Sequence, residues 1–343
     1  MYRCAIIGCG PRAKGHAEAY KHVRRGKLIA ICDIDRERLD AFGDQFDIDA
    51  RYEDIGKMIE AERPDLVHIV TQPTLRVPLM SEVASYQVPA AIVEKPICIG
   101  ADDYKALREL EEQASTKFVV NHQLQHHPRM LELLDYVWGG GIGEVRFIEA
   151  SSGLPLAGQG VHAMDLIFAF NQYAPAAKVF GASYGYDDIN GAHPSPRSSV
   201  TLIGFENGVR AVLQCGADSP RYDTEGRVWM NKRISVFGTK GFVHWRMNGW
   251  ERTLPDGTVE RGEHEYREED VIGQANLTEA VFSWLEAPAR PHPNNLRISL
   301  DQWLVILGHY MSTIEQQSVD LPFDPPDNLL DMLKEAVESE AAG

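Results

Sequence analysis

The chain has 343 residues, and 34 lysines and arginines stand against 50 aspartates and glutamates, which gives a formal net charge of -16 at pH 7. Such a surface repels a phosphate backbone and an anionic bilayer, so nucleic acid and membranes are disfavoured as partners. The length is sufficient for two domains with sizeable cores, and 44 % hydrophobic residues is typical of a globular protein.

The cysteines are isolated from one another, and none belongs to a C-x-x-C pair. They are Cys4, Cys9, Cys32, Cys98 and Cys215. An odd number of separated cysteines argues against a disulfide framework. The sequence starts on a strand pattern without a basic segment followed by an apolar run, and no run is long enough to span a membrane. We therefore predict a cytoplasmic protein.

Roughly the first 120 residues alternate between short apolar runs and helical patterns. Strands are predicted over residues 2–7, 28–32, 65–70, 90–93 and 118–120. Continuous apolar runs between helices are typical of parallel strands covered on both faces. This part of the chain therefore predicts an α/β fold with a Rossmann-type, doubly wound parallel sheet.

Beyond about residue 140 the strand-like segments lie close together, and Asn207-Gly208 and Asp256-Gly257 are strong hairpin signals. Helices are predicted over residues 161–171, 276–286 and 300–317. The pattern predicts a C-terminal α/β domain built on an open, mostly antiparallel sheet. One face of such a sheet packs helices, and the other is available for oligomerisation.

A glycine cluster, "GCGPRA", follows the first strand at residues 8–13. In the G-x-G-x-x-G/A pattern, Gly8 allows a tight turn, Gly10 lets the backbone approach a pyrophosphate, and Ala13 permits close packing of helix on strand. The following helix would direct its unpaired N–H groups at the phosphates, with Pro11 and Arg12 at its start. A structural turn without any ligand is the alternative.

Asp33 ends the second strand 20 residues after Ala13. A carboxylate at this spacing can accept hydrogen bonds from both hydroxyls of a ribose, and it would repel a 2′-phosphate. The spacing therefore favours NAD over NADP as the cofactor, although the nearby Arg36 leaves NADP open. A solvated aspartate is the alternative.

A second motif, "VEKPI", follows the fourth strand at residues 93–97. Together with "GCGPRAKGHAEAY", it resembles the Gfo/Idh/MocA oxidoreductase family of sugar and cyclitol dehydrogenases. The resemblance continues through "ICDIDRERL", "VTQPTLRVPLM", "GGIGEVRFIEA", "GVHAMDLIF" and "STIEQQSVDLP". It implies an NAD(P)-binding domain over residues 1–122, a substrate-binding and oligomerisation domain over residues 123–343, and a homodimer or homotetramer.

By this resemblance Lys95 is the active-site lysine. A lysine at the carboxyl end of a parallel strand faces the crevice where such sheets bind ligands, and its ammonium could polarise a substrate oxygen. A cis Lys95–Pro96 bond would fix its aim. A surface lysine paired with Glu94 is the alternative. The resemblance adds to the cofactor site the residues Thr71, Gln72, Pro73, Glu94 and Lys95.

His162 is the candidate proton acceptor, because an imidazole of near-neutral pKa can take up or release the hydroxyl proton. Asp165 lies three residues further on, on the same face of a helix. It could orient the ring, contact substrate or cap local structure. A structural histidine is the alternative to a catalytic one.

The chain departs from the family at three places. Many members carry an aspartate where this chain has Gly158, although Gln159 could supply a neutral hydrogen bond. Arg76 stands where a histidine is common, and the arginine often found before "HP" is missing from "NHQLQHHPRM". These differences point to a different substrate or to a member without dehydrogenase chemistry.

Further candidate substrate ligands lie in two segments. His122, Gln125, His126 and His127 follow the fifth strand, and their spacing does not match a tight zinc motif, so we predict no metal. Arg221, Trp229 and Asn231 belong to a charged and aromatic segment over residues 218–233. Such a mixture suits a sugar, because aromatic rings cover C–H surfaces and polar groups bind hydroxyls. A contact with a neighbouring subunit and a solvated loop are the alternatives.

The resulting hypothesis is NAD-dependent oxidation or reduction of a CH–OH group in a sugar, cyclitol or sugar-derived acid. In it, His162 accepts the hydroxyl proton and Lys95 stabilises the developing oxyanion. Two alternatives stay open. One is an enzyme that retains NAD and recycles it during elimination, hydrolysis or epimerisation. The other is a non-catalytic regulator that binds NAD(H) or a sugar.

Overall fold

The computed structural model describes residues 1–185, 189, 191–222 and 226–341, without the side chains of residues 267, 268 and 339–341. It divides the chain into two compact units. The first unit comprises residues 1–98, 105–128 and 267–299. The second comprises residues 99–104, 129–266 and 300 onward.

The strands fall into two sheets. In chain order they are β1 (Tyr2–Ile7), β2 (Gly26–Cys32), β3 (Ala50–Tyr52), β4 (Leu66–Ile69), β5 (Ala90–Val93), β6 (Lys117–Val120), β7 (Val145–Ser152), β8 (Ala176–Tyr184), β9 (Ser198–Phe205), β10 (Arg210–Gly216), β11 (Lys232–Gly238), β12 (Gly241–Arg246), β13 (Gly249–Thr253), β14 (Val259–Glu263) and β15 (Val319–Asp320).

The helices are α1 (Pro11–Ala19), α2 (Arg36–Phe46), α3 (Ile55–Glu62), α4 (Arg76–Ser85), α5 (Ala101–Gln113), α6 (Pro128–Trp138), α7 (Val161–Phe170), α8 (Tyr266–Glu286), α9 (Leu296–Glu315) and α10 (Leu329–Ala341). Throughout the described residues, none of the helices has both the length and the apolar character that a membrane crossing requires.

The first unit contains a six-stranded sheet in the order β3-β2-β1-β4-β5-β6. Every neighbouring pair in it is parallel. The order reverses between β1 and β4, which is the switch point of a doubly wound fold. The predicted Rossmann-type sheet is therefore confirmed. The sequence analysis missed only β3, a three-residue strand at the sheet edge whose residues are all half-exposed.

Helices cover both faces of this sheet. On one face, Ala13 of α1 and Leu39 and Phe42 of α2 pack with Ile6 and Ile31 of the strands. On the other face, residues of α8 pack against the strands, and the buried set is Cys4, Leu66, Ala90, Ile92, Val119, Leu277, Val281 and Phe282. Helix α8 thus completes the core of the first unit, although more than 130 residues separate it from β6.

The second unit contains a nine-stranded sheet in the order β14-β13-β12-β11-β7-β10-β9-β8-β15. All its pairs are antiparallel except β7 with β10, so the predicted open, mostly antiparallel sheet is confirmed. Both predicted hairpins form, with Gly208 between β9 and β10 and Gly257 between β13 and β14, each at φ 85°. The predicted helices are found with shifted ends, and α10 was missed.

The two faces of this sheet differ in exposure. Val179 and Ile203 on one face are buried, and α7 packs against β7, β10 and β11. On the opposite face, Phe180 lies directly across from Leu202, and these side chains are 38 % and 46 % exposed. Phe147 faces Phe237 on the same side, with ring centroids 6.2 Å apart. The second unit therefore presents an apolar sheet face to solvent.

Candidate active site

The two glycines of the first loop differ in what surrounds them. Gly8 has φ +92°, and a Cβ on it would lie 2.4 Å from the carbonyl oxygen of Val70. Only glycine fits there, as the tight turn requires. A Cβ on Gly10 would meet no atom within 4 Å. Gly10 therefore borders open space, while Ala13 is fully buried against the sheet.

The space beside Gly10 has the character that a pyrophosphate needs. Helix α1 begins at Pro11, and its N-cap Gly10 provides no side-chain hydrogen bond to the first turn. The first turn of α1 therefore lies at the carboxyl end of β1, and its N-cap residue supplies no side chain to its backbone N–H groups. The described residues at this turn fit a dinucleotide phosphate.

Asp33 lies at the end of β2, close to the glycine loop. Its Oδ2 accepts a hydrogen bond from the Cys9 backbone N–H at 2.7 Å, and its Oδ1 accepts one from the Asp35 N–H at 2.9 Å. These bonds fix the carboxylate at the position predicted for a ribose ligand. The structure therefore brings the glycine loop and Asp33 together.

The arginines near Asp33 have different partners. Arg36 contacts Asp40 at 2.8 Å and Glu53 at 3.1 Å, and its side chain is 61 % exposed. The guanidinium closest to Asp33 belongs to Arg38, whose Nε lies 3.7 Å from Oδ2. Sequence reasoning missed Arg38. Its position in the first turn of the helix after the acidic strand end was the available signal.

The loop after β4 contains Thr71, Gln72 and Pro73, and a buried arginine holds it. Arg76 Nη1 donates to the Thr71 carbonyl oxygen at 2.9 Å, to its hydroxyl at 3.1 Å and to the Gln72 carbonyl at 3.3 Å. Burial lowers the pKa of Arg76 to about 10. Arg76 is thus a buried cation that shapes this loop.

Glu94, at the end of β5, is the centre of a buried polar network. Its Oε1 accepts hydrogen bonds from Arg12 Nε, His16 Nε2 and Asn121 Nδ2, each at 2.8 Å. Burial by itself raises the pKa of Glu94, but the Arg12 charge and the His16 hydrogen bond hold it well below its usual range. The carboxylate is therefore ionised, and Arg12 joins the glycine loop to the Glu94-Lys95 motif.

Lys95 follows Glu94, and the Lys95–Pro96 peptide bond is cis, as predicted. Burial lowers the pKa of the Lys95 ammonium, the Glu94 carboxylate raises it, and the Arg12 and Arg76 charges lower it further. The balance leaves an ammonium that loses its proton more readily than a surface lysine does. Such a group can stabilise a developing oxyanion.

The segment after β6 is buried, and Asn294 forms hydrogen bonds with two of its side chains. His126 Nε2 lies 2.8 Å from Asn294 Oδ1, and Asn294 Nδ2 donates to Gln125 Oε1 at 2.8 Å. Burial and the nearby Lys95 charge lower the pKa of His122 to about 3. Hence His122 is neutral, and it belongs to the electrostatic surroundings of Lys95.

His127 has a separate partner in the first unit, since its Nε2 lies 2.9 Å from Glu269 Oε2. Among the residues that the structure describes, no three His, Cys, Asp or Glu side chains converge as a set of metal ligands. His126 and His127 instead contact protein side chains, Asn294 and Glu269 respectively.

In the second unit, α7 carries His162 and Asp165, which are 6 % and 1 % exposed. Asp165 Oδ1 accepts a hydrogen bond from Gln302 Nε2 of α9 at 3.1 Å. A Cβ on Gly158 would meet no atom within 4 Å, so an aspartate side chain has room there. Gln159 Oε1 is buried and accepts no hydrogen bond from the described residues.

The aromatic segment of residues 218–233 is described except for residues 223–225. Arg221 is exposed, and Trp229 is half-buried with its ring centroid 6.5 Å from that of Tyr266. Asn231 is buried, and its carbonyl accepts a hydrogen bond from the Gly153 N–H at 2.7 Å. The backbone of Asn231 thus joins this segment to the end of β7.

Sequence reasoning missed several members of the Glu94 network. They are Tyr20, His68, Asn121 and Gln274. His68 carried a signal, because a histidine interrupts the otherwise apolar strand "LVHI". Gln274 carried none, since only the folding of α8 onto the first unit brings it to Asn121.

Comparison with known proteins gives a consistent result. Residues 2–122 match the model of the Gfo/Idh/MocA family, described as an oxidoreductase family with an NAD-binding Rossmann fold. A D-apiose dehydrogenase of Paraburkholderia graminis is 27 % identical over 232 residues, which are 62 % of this chain and 60 % of that protein. A D-apiose dehydrogenase of Rhizobium rhizogenes is 33 % identical over 140 residues, 41 % of this chain and 40 % of that protein.

The match to each of these relatives spans less than two thirds of its length. Among solved structures, an oxidoreductase from Agrobacterium radiobacter in complex with NAD+, L-tartaric acid and magnesium is similar in fold. The TM-score is 0.80 at 20 % identity, covering 93 % of this chain and 98 % of the other. The family model, the named relatives and the shared fold agree with the order of motifs along the sequence. Residues 2–122 thus match the Gfo/Idh/MocA oxidoreductase family with its NAD-binding Rossmann fold, and 93 % of the chain shares the fold of a solved oxidoreductase.

Proposed function

We propose that this protein is an NAD-dependent dehydrogenase that acts on a CH–OH group of a small sugar, cyclitol or sugar-derived acid. The observation that carries the proposal is the link from the open glycine loop to the half-buried Lys95. Arg12 belongs to the loop and hydrogen-bonds Glu94 at 2.8 Å, immediately before Lys95. A loop of the dinucleotide-binding type and an ammonium whose pKa is lowered by burial thus lie in the same compact unit.

The cofactor would be held mainly by backbone. The backbone N–H groups of Gly10 and Arg12 would bind the pyrophosphate, Asp33 the ribose hydroxyls, and Thr71 to Pro73 the nicotinamide half. When bound, NAD accepts a hydride from the substrate carbon. Lys95 would stabilise the negative charge on the substrate oxygen, and His162 would accept the hydroxyl proton.

The substrate side would be formed by polar and aromatic side chains. These candidates are His122, Gln125, Asp165, Arg221 and Trp229. Since two relatives are named D-apiose dehydrogenases, we propose an aldose as the first substrate class to test, beginning with D-apiose.

The test is a panel of aldoses, polyols and sugar acids with purified protein and added NAD, followed at the NADH absorption band. We expect NADH to accumulate with at least one aldose. Before the assay, the denatured protein is examined for released NAD(H) by absorbance and mass spectrometry. Stoichiometric retained cofactor, with turnover but no net NADH, would instead support the NAD-recycling enzyme. No binding of NAD or NADP would overturn the proposal.

Asp33 should set the preference between NAD and NADP. Asp33→Asn keeps one acceptor oxygen and removes the charge, so we expect KM for NAD to rise about tenfold and KM for NADP to fall, because repulsion of the 2′-phosphate is relieved. Arg38, 3.7 Å from Asp33, is the cation available to that phosphate. Asp54→Asn is the matched control, as Asp54 caps α3 on the exposed surface. An unchanged NAD-to-NADP preference would contradict the assignment of Asp33.

We also propose a homodimer or homotetramer formed through the exposed apolar face of the nine-stranded sheet. Leu202, 46 % exposed near the centre of this face, is the most sensitive position. Leu202→Asp should reduce the mass measured by light scattering to that of one chain, since a charge would be buried without a partner. Tyr86→Asp, at an exposed position of the first unit and away from this sheet, is the control. A monomeric wild-type protein would exclude this proposal.

A further inference from the structure

Four buried or half-buried side chains form an unbroken hydrogen-bonded series in the first unit. Tyr20 Oη lies 2.7 Å from His68 Nε2, His68 Nδ1 lies 3.0 Å from His16 Nδ1, and His16 Nε2 lies 2.8 Å from Glu94 Oε1. Both histidines have no exposed surface. We call Tyr20, His68 and His16 the histidine chain.

The hydrogen bonds of the histidine chain have only one consistent direction of donation. An ionised Glu94 can only accept, so His16 carries its proton on Nε2 and its Nδ1 is an acceptor. His68 must then donate from Nδ1, which leaves its Nε2 as an acceptor for the Tyr20 hydroxyl. All three contacts are satisfied when both imidazoles are neutral, and every donor points toward Glu94.

The charge states agree with this direction. Burial lowers the pKa of His16 and of His68, so both rings stay neutral. Burial and the neighbouring Cys4 raise the pKa of Tyr20 well above its usual range. Moving a proton from Tyr20 to Glu94 would therefore create a tyrosinate and a neutral carboxyl group, both against these shifts. The series is a fixed array of donors and not a path for proton transfer.

We propose that the histidine chain positions the Glu94 carboxylate beside Lys95, so that Tyr20, His68 and His16 are positioning residues for the catalytic lysine. The proposal rests on the proposed function, in which Lys95 acts on the substrate oxygen. Among the described residues, the hydrogen bonds of Tyr20 and His68 lead to Glu94 through His16.

The histidine chain influences the pKa of Lys95 through the balance of charges around the ammonium. Glu94 is the anion that favours the ammonium, Arg12 and Arg76 oppose it, and His122 is neutral. Glu94 has three donors on Oε1, and the histidine chain supplies one of them. Removing that donor lets the carboxylate shift toward Arg12 and weakens its attraction for Lys95, so the pKa of Lys95 should fall.

The experiment follows the titration of Lys95 by NMR in the full-length protein labelled with 13C-lysine, with the signal assigned by its loss in Lys95→Arg. We expect His16→Leu to lower the Lys95 midpoint by about half a pH unit. His16→Gln, which keeps an N–H donor, should restore it. Tyr20→Phe should move the midpoint in the same direction by less. Tyr52→Phe, which removes a hydroxyl bonded to Glu62 at 2.8 Å, is the matched control and should have no effect.

The double variant Tyr20→Phe/His16→Leu separates positioning from general loosening of the core. If Tyr20 acts through His16, the double variant should have the midpoint of His16→Leu alone. Independent shifts that add would overturn the proposal, as would an unchanged midpoint in His16→Leu. These readouts require no substrate, so their failure is distinguishable from failure of the proposed dehydrogenase function.

The tautomers of the wild-type protein give a measurement that needs no variant to fold. In a long-range 1H–15N spectrum, His16 should be protonated on Nε2 and His68 on Nδ1. The reverse assignment in either ring, or a protonated imidazolium at neutral pH, would exclude the one-way chain.

Discussion

Lys95→Ala should lower kcat by about 10³-fold while the dissociation constant for NAD changes by less than about threefold. The variant removes the Lys95 ammonium that follows Glu94 at the end of β5, and it leaves the open turn at Gly10 and the Asp33 carboxylate intact. Transition-state charge on the substrate oxygen would then lose its stabilising cation, whereas cofactor binding would keep its backbone donors. Steady-state kinetics and fluorescence titration with NAD measure the two effects.

Lys57→Ala is the matched control for this variant. Lys57 is exposed on α3 in the same unit, so its replacement removes a charge without changing the buried network. Turnover should stay within about twofold of the wild type. If Lys95→Ala kept wild-type turnover, Lys95 would not be the group that stabilises the oxyanion. If the protein's biological activity survived the change while turnover was lost, a non-catalytic regulator would be favoured.

The pH dependence of turnover should report the same ammonium. Burial lowers the pKa of Lys95, so the charged form is lost at lower pH than for a surface lysine. Since the charged form stabilises the oxyanion, kcat should fall as pH rises through this lowered pKa. Lys95→Arg keeps its charge at all accessible pH values, and its alkaline decrease should disappear even though its kcat is lower. An alkaline limb that persists in Lys95→Arg would assign the decrease to another group.

Replacing the two loop glycines by alanine should separate folding from cofactor binding. We expect Gly8→Ala to reduce the free energy of unfolding by about 2–4 kcal/mol, because its Cβ combines a positive φ with a clash against backbone. Its Cβ would lie 2.4 Å from the Val70 oxygen. Gly10→Ala should keep the wild-type thermal midpoint, because its Cβ meets no atom within 4 Å.

The same Gly10→Ala variant should weaken NAD binding by about tenfold or more, because the methyl group occupies the space needed for close approach of a pyrophosphate. Thermal unfolding and fluorescence titration give the two readouts. Gly208→Ala is a control for φ strain alone, since Gly208 has φ +85° and open surroundings, and it should cost only about 1 kcal/mol. Unchanged NAD affinity in a folded Gly10→Ala protein would show that the loop does not hold the cofactor.

Local patterns predicted most of the first unit. Strands β1 and β5 were predicted with their observed bounds, β4 and β6 to within one residue and β2 to within two. A continuous apolar run between turn signals favours a buried strand, which is why these predictions were accurate. The spacing from the glycine loop to Asp33 was equally local, and the structure joins them through the Cys9 N–H. The three-residue β3 was missed, since partly exposed residues at a sheet edge produce no alternating or apolar pattern.

The residues of the candidate site also fall into two groups, those that local sequence patterns predicted and those that only the fold brings together. By itself, the sequence determined the glycine turn, the acidic strand end and the position of Lys95 after β5, because each depends on residues adjacent in the chain. Only the tertiary structure decided the surroundings of Lys95. Gln274 and Asn121 are 153 positions apart, and His16 and Glu94 are 78 apart. Hydrogen bonds between such distant residues form when α8 and the neighbouring strands pack. Burial then determines which side chains of the network are ionised and which atoms carry the protons.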